Sequence, residues 1–320
     1  MTSIKKWLNS HNINFTNLES ASSDASFRSY YRIYQTNSTK IIMDSSLQKE
    51  SLEPFLDMTN RLSSVGVNTP TVYNQDLKSG FLLLEDFGDI NLLDILDKDN
   101  FKLYYKRAID EIIKMQEACV DNLPLYNREF LRSEMELMEE WYLKRYLGVQ
   151  IDRDIISSTI ESILDIALSQ PQGVFVHRDF HSRNIMVRGD KTLGVIDYQD
   201  ARVGAITYDL VSLLRDVYIE FNREDIEELV LYFRDKKALS IGNREFIKYF
   251  DFMGLQRHIK ILGIFARLSL RDGKDNYLDD IPQTLKYIVD IGMRYEESRG
   301  LIEVLISSLD NSPNLINRDY

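Results

Sequence analysis

Three polar residues in the middle of the chain have the types and spacing that phosphoryl transfer requires. Asp179 follows a predicted strand, Asn184 lies five residues later, and Asp197 closes the next predicted strand, 18 residues after Asp179. We expect two strand ends and one loop to bring these side chains together. Carboxylate and amide oxygens suit Mg²⁺, and Asp179 is free to accept a proton from an attacking hydroxyl. The set predicts a positioned base beside metal ions that neutralise phosphate charge.

The stretch 177–200, HRDFHSRNIMVRGDKTLGVIDYQD, resembles the protein-kinase-like superfamily. The pattern H-R-D-x-x-x-x-N followed by D-F-G is matched in order and spacing by 177–179, Asn184 and 197–199. No A-P-E segment follows, and the variant is similar to the small-molecule kinases related to aminoglycoside phosphotransferases. This resemblance implies a catalytic Asp179, with Mg²⁺ held by Asn184 and Asp197.

The sequence allows more than one role for His177 and for Asp209. His177 and His181 with Asp179 could form a metal triad, although no further His or Cys lies nearby to complete it. The resemblance implies instead that His177 supports the loop. It also gives Asp209 the role of holding the catalytic loop, whereas the sequence alone allows an acid that only complements a helix dipole.

The region expected to bind the nucleotide has no glycine-rich phosphate loop. In its place the segment 22–28, SSDASFR, has small residues that let backbone amides approach phosphate, and Ser26 and Arg28 are candidate donors. A solvated hairpin tip fits the same residues. We expect the backbone around Glu85 and Phe87, in the interlobe linker, to pair with the edge of adenine.

The strand 41–44 occupies the place of the V-A-I-K strand of the superfamily, yet it ends in Asp44 rather than lysine. The lysine–glutamate pair that usually holds the phosphates is therefore missing. The sequence leaves open which cation and which acid replace it, and the candidates are Lys40, Lys49 or Arg28 with Glu50 or Glu53.

Seven segments in shared order narrow the resemblance to the bacterial anomeric N-acetylmuramate/N-acetylglucosamine kinases of cell-wall recycling. They extend over most of the chain, from about residue 24 to residue 285, and comprise 24–32, 42–44, 83–89, 176–184, 198–202, 257–268 and 271–274. The resemblance implies that ATP phosphorylates the anomeric hydroxyl of the free amino sugar, with Mg²⁺. The sugar 1-phosphate would pass to a uridylyltransferase.

A carboxylate on N-acetylmuramate calls for a basic or amide partner in this acidic chain. Four arginines are candidates, although each is also compatible with a surface ion pair: Arg202, Arg257, Arg267 and Arg271. Trp141 and Tyr142 could stack on a sugar face, but an aromatic pair on a helix more often belongs to the core.

The secondary structure that must position these residues is predicted to change along the chain, from mainly strands to mainly helices. A hairpin over 26–34 and 40–44, a helix over 52–65 and strands at 72–74 and 81–85 predict a small antiparallel sheet with one helix. Helical spacing follows at 90–96, 101–120, 128–147 and 153–168, then short strands at 174–176, 185–187 and 193–196, then helices from 207 that include 245–271. We predict an α+β, bilobal protein-kinase-like fold. Residues 1–88 form the nucleotide-binding lobe and 89–320 the helical catalytic and acceptor-binding lobe, with ligands between them.

Composition excludes several classes of protein. Fifty acidic against 39 basic residues give a net charge of −11, which argues against nucleic-acid and anionic-membrane partners. A single cysteine excludes an internal disulfide framework and indicates a reducing compartment. No signal peptide or membrane-spanning stretch is recognisable, so we expect a cytoplasmic protein.

Two other functions stay open on the sequence. The same fold could phosphorylate an aminoglycoside, a choline-like amine or another sugar. A pseudokinase that binds nucleotide without catalysis would explain the missing strand lysine, but it has no need for Asp179, Asn184 and Asp197 together.

Overall fold

The computed structural model describes residues 2–22 and 28–312. The chain divides into two compact units. The first contains the described residues up to Ile95 together with Arg183–Asp200, and the second contains Leu96–Ser182 and the described residues from Ala201 onward.

The first unit is built on a five-stranded antiparallel sheet with the order β1-β2-β3-β5-β4. Its helices are α1 (Thr2–Ser10) and α2 (Leu52–Ser64), and its five sheet strands are β1 (Asn17–Ser22), β2 (Ser29–Tyr34), β3 (Thr39–Asp44), β4 (Val72–Asp76) and β5 (Phe81–Glu85). The short strands β7 (Ile185–Val187) and β8 (Leu193–Val195) pair in the same unit. The predicted hairpin, helix and last two strands are confirmed.

Sequence reasoning missed α1 and β1. The helix α1 buries only Ile4, Trp7 and Leu8 among nine residues, so its apolar stripe is short. These side chains pack in one cluster with Ile33 of β2 and Phe81 of β5. Packing against the sheet stabilises a helix that is too short to form alone.

The second unit is mainly helical. Its helices are α3 (Phe101–Met115), α4 (Arg128–Leu137), α5 (Arg153–Leu168), α6 (Tyr208–Leu214), α7 (Arg223–Lys236), α8 (Asn243–Asp272), α9 (Ile281–Gly292) and α10 (Glu296–Asp310). The strands β6 (Val174–Val176) and β9 (Arg202–Gly204) pair antiparallel. The buried helix α8 lies at the centre and packs against α4, α5, α6 and α9.

Three predicted helices differ in the structure. The helix predicted over 101–120 ends at Met115, where the following backbone N–H groups of Glu117 and Ala118 bond in turns of three residues. The segment 90–96 forms turns, because Asn91 and Asp94 exchange side-chain hydrogen bonds with each other's backbone N–H groups. The predicted helix 128–147 is α-helical only to Leu137 and continues as a π-helix over Met138–Leu147. The backbone change lies against Gly263, where a Cβ would come within 2.4 Å of the Met138 nitrogen.

An antiparallel sheet early in the chain and a mainly helical remainder confirm the predicted α+β class. The boundary proposed after residue 88 stays a prediction. No helix in the described part of the chain is both long and apolar enough to cross a membrane.

Candidate active site

The loop after β6 is held by a buried carboxylate. Asp209, near the start of α6, accepts hydrogen bonds from the backbone N–H groups of His177 at 2.8 Å and Arg178 at 3.0 Å. Burial raises the pKa of the Asp209 carboxyl, and the two donors act in the opposite direction. Asp209 thus fixes the two residues that precede Asp179.

Arg178 adopts a backbone conformation that a non-glycine residue rarely takes, with φ of 80°. Its side chain binds Oε1 of Glu134 on α4 at 2.8 Å, and its guanidinium lies over the ring of Tyr126. Lys260 of α8 binds the same Glu134 oxygen at 3.1 Å. Contacts at both ends of Arg178 therefore sustain the strained turn that positions the next residue.

Asp179 is ionised in this environment. Burial alone would raise the pKa of its carboxyl, but the charges of Lys260, Arg257, His181 and Arg178 lower it to about 2. The backbone N–H of Asp179 also donates to Nδ1 of His177 at 3.3 Å, so that ring nitrogen is an acceptor. The arrangement presents an anionic oxygen that can accept a proton or orient a hydroxyl.

His181 does not form the metal triad considered from the sequence. Among the described residues, no three His, Cys, Asp or Glu side chains are placed to share a metal ion. The His181 ring contacts Tyr218 edge-on with centroids 5.4 Å apart, and burial lowers its pKa. An imidazole packed in this way is a structural group.

Asn184 and Asp197 meet within the first unit. The Asn184 amide nitrogen lies 3.4 Å from Oδ2 of Asp197, whose Oδ1 accepts from Gln199 at 2.8 Å. Asp197 has φ of 66°, a value that aspartate tolerates better than most residues. One amide and one exposed carboxylate supply the hard oxygen donors that Mg²⁺ takes, once the amide turns its oxygen inward, so the pair fits this ion. Asp179 belongs to the other unit, and its predicted meeting with this pair stays a prediction.

Tyr198 anchors this pair, and sequence reasoning gave it no role. Its ring stacks on Phe55 of α2 with centroids 5.3 Å apart, and its hydroxyl lies 2.8 Å from Oγ1 of Thr59. The tyrosine is fully buried. Because Tyr198 follows Asp197 directly, its burial restricts where the Asp197 carboxylate can point.

The segment expected to meet adenine is tied to the sheet. Arg32 of β2 binds Asp86 with two nitrogens, at 2.6 and 2.9 Å, and Asp89 with a third at 2.6 Å. The ring of Phe87 lies so close to Gly194 of β8 that a Cβ there would come within 2.5 Å of it. The sequence offered no sign of these contacts, since Arg32 lies 54 residues before Asp86.

Glu85 binds other protein groups through both carboxylate oxygens. Oε1 accepts from Arg188 at 2.7 Å, and Oε2 accepts from the Thr71 hydroxyl at 2.8 Å. The Glu85 side chain is thus held in place. Its backbone N–H also donates to the Thr71 carbonyl at 2.8 Å, so at Glu85 the predicted role toward a nucleotide base stays with the backbone carbonyl, as a prediction.

The three candidate replacements for the strand lysine lie at different places in the first unit. Lys40 is at the far end of β3 from Asp44 and stacks over Tyr73, 4.1 Å from its centroid. Lys49 binds the Lys78 carbonyl at 2.7 Å. Arg28 directly precedes Ser29, the residue paired with Asp44, and its Nε lies 3.4 Å from the Ser51 hydroxyl. Of the three, Arg28 alone adjoins the strand end where the lysine would stand. Ser26, the other candidate phosphate donor, lies outside the described residues.

The four candidate arginines for the acceptor differ in surroundings. Arg202 donates to the Leu125 carbonyl at 3.1 Å and lies 3.7 Å over the ring of Phe130. Arg257 is buried and its Nε binds the Ser212 hydroxyl at 2.6 Å. Arg271 is exposed and paired with Asp272 at 2.7 Å, and Arg267 is half-buried one turn before it. Of the two aromatic candidates, Tyr142 is core and Trp141 is half-exposed.

Comparison with other proteins agrees with the motifs in the loop. Residues 17–240 match the model of a family described as the phosphotransferase enzyme family. A Pseudomonas putida protein named N-acetylmuramate/N-acetylglucosamine kinase is 39% identical over 298 residues, which cover 90% of this chain and 87% of that protein. A Neisseria meningitidis protein of the same name is 37% identical and covers 89% of each chain.

Solved structures show the same fold at low identity. A choline kinase from Streptococcus pneumoniae superposes with a TM-score of 0.65 at 14% identity, over 90% of this chain and 98% of that one. An ADP-bound aminoglycoside phosphotransferase gives 0.60 at 15% identity, over 91% and 98%. These neighbours confirm the predicted protein-kinase-like fold. The family model matches most of the chain, and the two kinases named above align with about nine-tenths of it. The chain therefore belongs to the phosphotransferase enzyme family.

Proposed function

We propose that the protein transfers the γ-phosphoryl group of ATP to the anomeric hydroxyl of N-acetylmuramate and N-acetylglucosamine. The observation that carries the proposal is the identity of 36–39% to kinases named for these two sugars, over about nine-tenths of the chain. The product would be the sugar 1-phosphate, which a uridylyltransferase would consume during peptidoglycan recycling in the cytoplasm.

Asp179 acts as the base in this proposal. The anomeric hydroxyl gives its proton to the Asp179 carboxylate, the anomeric oxygen bonds to the γ-phosphorus, and the bond to the β–γ bridging oxygen breaks to release ADP. A carboxylate with a pKa of about 2 is a weak base. Such a base suits a loose transition state, in which the hydroxyl must be oriented and its proton leaves late. Because an anomeric hydroxyl is more acidic than other sugar hydroxyls, Asp179 can be a still weaker base.

Nucleotide binding falls to residues of the first unit. Asn184 and Asp197 would hold Mg²⁺, which supplies neutralisation of phosphate charge when bound. Arg28 would replace the missing strand lysine, and Ser26 would donate to phosphate. The backbone at Glu85 and Phe87 would pair with adenine, on a segment that Arg32 holds in place.

The second unit provides the groups for the acceptor. His177 and Asp209 support the catalytic loop in this proposal, and the hydrogen bonds of both residues to the loop backbone favour that role. A cation must face the carboxylate of N-acetylmuramate, and the candidates are Arg202, Arg257, Arg267 and Arg271. Amine acceptors such as aminoglycosides need acidic surroundings instead, which this set of arginines disfavours.

Measurement of ATP consumption with separate acceptors tests the proposal. The purified protein with Mg²⁺ and ATP is expected to release ADP with N-acetylmuramate and N-acetylglucosamine, and not with an aminoglycoside or choline. Turnover of an amine acceptor alone would refute the proposed substrate class. Nucleotide binding without turnover of any acceptor would favour a pseudokinase.

A further inference from the structure

One face of α8 carries four cations. Arg257, Lys260, Arg267 and Arg271 are spaced by three, seven and four residues, which places them on one side of a helix. Their exposure increases along the helix, from buried Arg257 and Lys260 to exposed Arg271. The row therefore leads from the surroundings of Asp179 toward solvent, since the charges of Lys260 and Arg257 act on that carboxylate.

The cations on this face differ in their counter-ions. Lys260 is paired with Glu134 at 3.1 Å, and Arg271 with Asp272. Among residues 2–22 and 28–312, Arg267 makes no direct ion pair, and its Nε is buried without a hydrogen-bond partner. The charge of Asp272, which Arg271 binds directly, acts on Arg267 without such a contact. Burial and the neighbouring Arg271 lower the pKa of Arg267, and the charge of Asp272 acts in the opposite direction. A partly buried guanidinium without a directly bound carboxylate carries a desolvation cost that an anionic ligand would relieve.

The packing of α4 and the π-helix on α8 indicates what adjoins Arg267. The Gln256 amide donates to the Leu131 carbonyl at 3.3 Å, Lys260 binds Glu134, and the Gly263 position lies against Met138. Successive contacts are three or four residues apart along α8 and also along α4 and the π-helix, so the two segments lie side by side. The same register, extended by one turn of α8, brings Arg267 to the π-helical segment, whose buried face continues at Tyr142 and Leu143.

We propose that Arg267 binds the carboxylate of an acidic amino-sugar acceptor, beside the π-helical segment, and so determines the preference for N-acetylmuramate over N-acetylglucosamine. Seven residues separate Arg267 from Lys260, about 10 Å along the helix. Arg267 thus lies beyond the groups that act on Asp179, where a substituent remote from the reacting hydroxyl would be recognised. The inference rests on the proposed function.

Steady-state kinetics of Arg267→Gln with both sugars test the inference. We expect kcat/KM for N-acetylmuramate to fall about 10- to 100-fold, the effect of losing a hydrogen bond to a charged group. The value for N-acetylglucosamine should stay within about twofold, since that sugar lacks the carboxylate. Arg267→Lys should recover part of the loss. Arg244→Gln, which removes an exposed cation from the start of α8, should change neither value.

Equal losses for both sugars, or no loss for N-acetylmuramate, would overturn the inference. Calorimetric titration with N-acetylmuramate separates this failure from failure of the proposed function. Binding that weakens in Arg267→Gln, without turnover of either sugar by the unaltered protein, would retain the inference and refute the proposed reaction. Absence of binding to the unaltered protein would overturn both.

Discussion

The carboxylate of Asp209 accepts the backbone N–H of Arg178 at 3.0 Å, at a residue whose φ is 80°. A carboxylate on α6 thereby holds a strained turn on the loop that carries Asp179. The second oxygen of Asp209 accepts the His177 N–H, so the loop is bound at two consecutive peptides.

Replacement of Asp209 by Asn tests this support. The amide presents one nitrogen to a backbone donor, so one of the two N–H groups loses its acceptor. We expect kcat to fall about 10- to 100-fold, as expected for a lost hydrogen bond to a charged group. The KM for ATP should stay within about twofold, because the nucleotide residues we assign belong to the other unit. An unchanged kcat in the folded variant would show that the loop does not need this carboxylate.

Asp179→Asn tests the base directly. A positioned base contributes about 10²- to 10⁴-fold, and we expect kcat to fall by that factor. The carboxylate of the unaltered protein stays ionised down to about pH 2, because nearby cations lower its pKa. The pH profile of kcat/KM should thus contain no acid limb from Asp179 between about pH 5 and 8. Activity of Asp179→Asn equal to that of the unaltered protein would contradict the assigned role.

The nucleotide cation is tested by a pair of variants on one sheet. Arg28→Ala should raise the KM for ATP about tenfold, the effect of losing a charge-assisted hydrogen bond. Lys40→Ala is the matched control, since Lys40 lies four residues from Asp44 along β3, about 14 Å away. The control should keep the KM of the unaltered protein. A larger effect in the Lys40 variant would transfer the role to that residue.

Most individual strands and helices were predictable because their apolar residues alternate or recur at helical spacing. The parts that were missed depend on contacts distant in sequence. Helix α1 is stabilised by the sheet beneath it, and the π-helix after Leu137 lies where Gly263 allows two backbones to approach. Neither contact leaves a local pattern.

The site residues also divide into those with a local sequence pattern and those that depend on contacts distant in sequence. Asp179, Asn184 and Asp197 could be proposed as site residues because their spacing is fixed along one stretch of chain. Glu134 and Arg32, which hold Arg178 and Asp86, lie 44 and 54 residues from their partners. Such partners cannot be inferred from the spacing of one sequence, since many acids and arginines are equally available.

A buried histidine in the second unit predicts how stability depends on pH. The His258 ring nitrogen Nε2 lies 2.9 Å from the Arg215 carbonyl, and burial together with Arg257 lowers its pKa from 6.5 to about 3. Between these two values the unfolded chain binds a proton that the folded protein does not. The free energy of unfolding should therefore decrease as pH falls, by on the order of 1 kcal/mol at one pH unit below 6.5.

Denaturant unfolding at about pH 7.5 and 5.5 measures this contribution. His258→Gln keeps a neutral donor for the Arg215 carbonyl and cannot take up the proton. The loss of stability between the two pH values should be smaller in the variant than in the unaltered protein, by on the order of 1 kcal/mol. An equal loss in both proteins would show that His258 does not contribute.

The central claim is the chemical position of phosphorylation, and phosphorus NMR of the product tests it most directly. The purified protein is incubated with Mg²⁺, ATP and N-acetylmuramate, and a second sample contains N-acetylglucosamine. The account predicts a new phosphomonoester resonance that is coupled to the anomeric proton, formed in proportion to the ADP released. A phosphomonoester coupled to another sugar proton, or ADP release without a sugar phosphate, would contradict it.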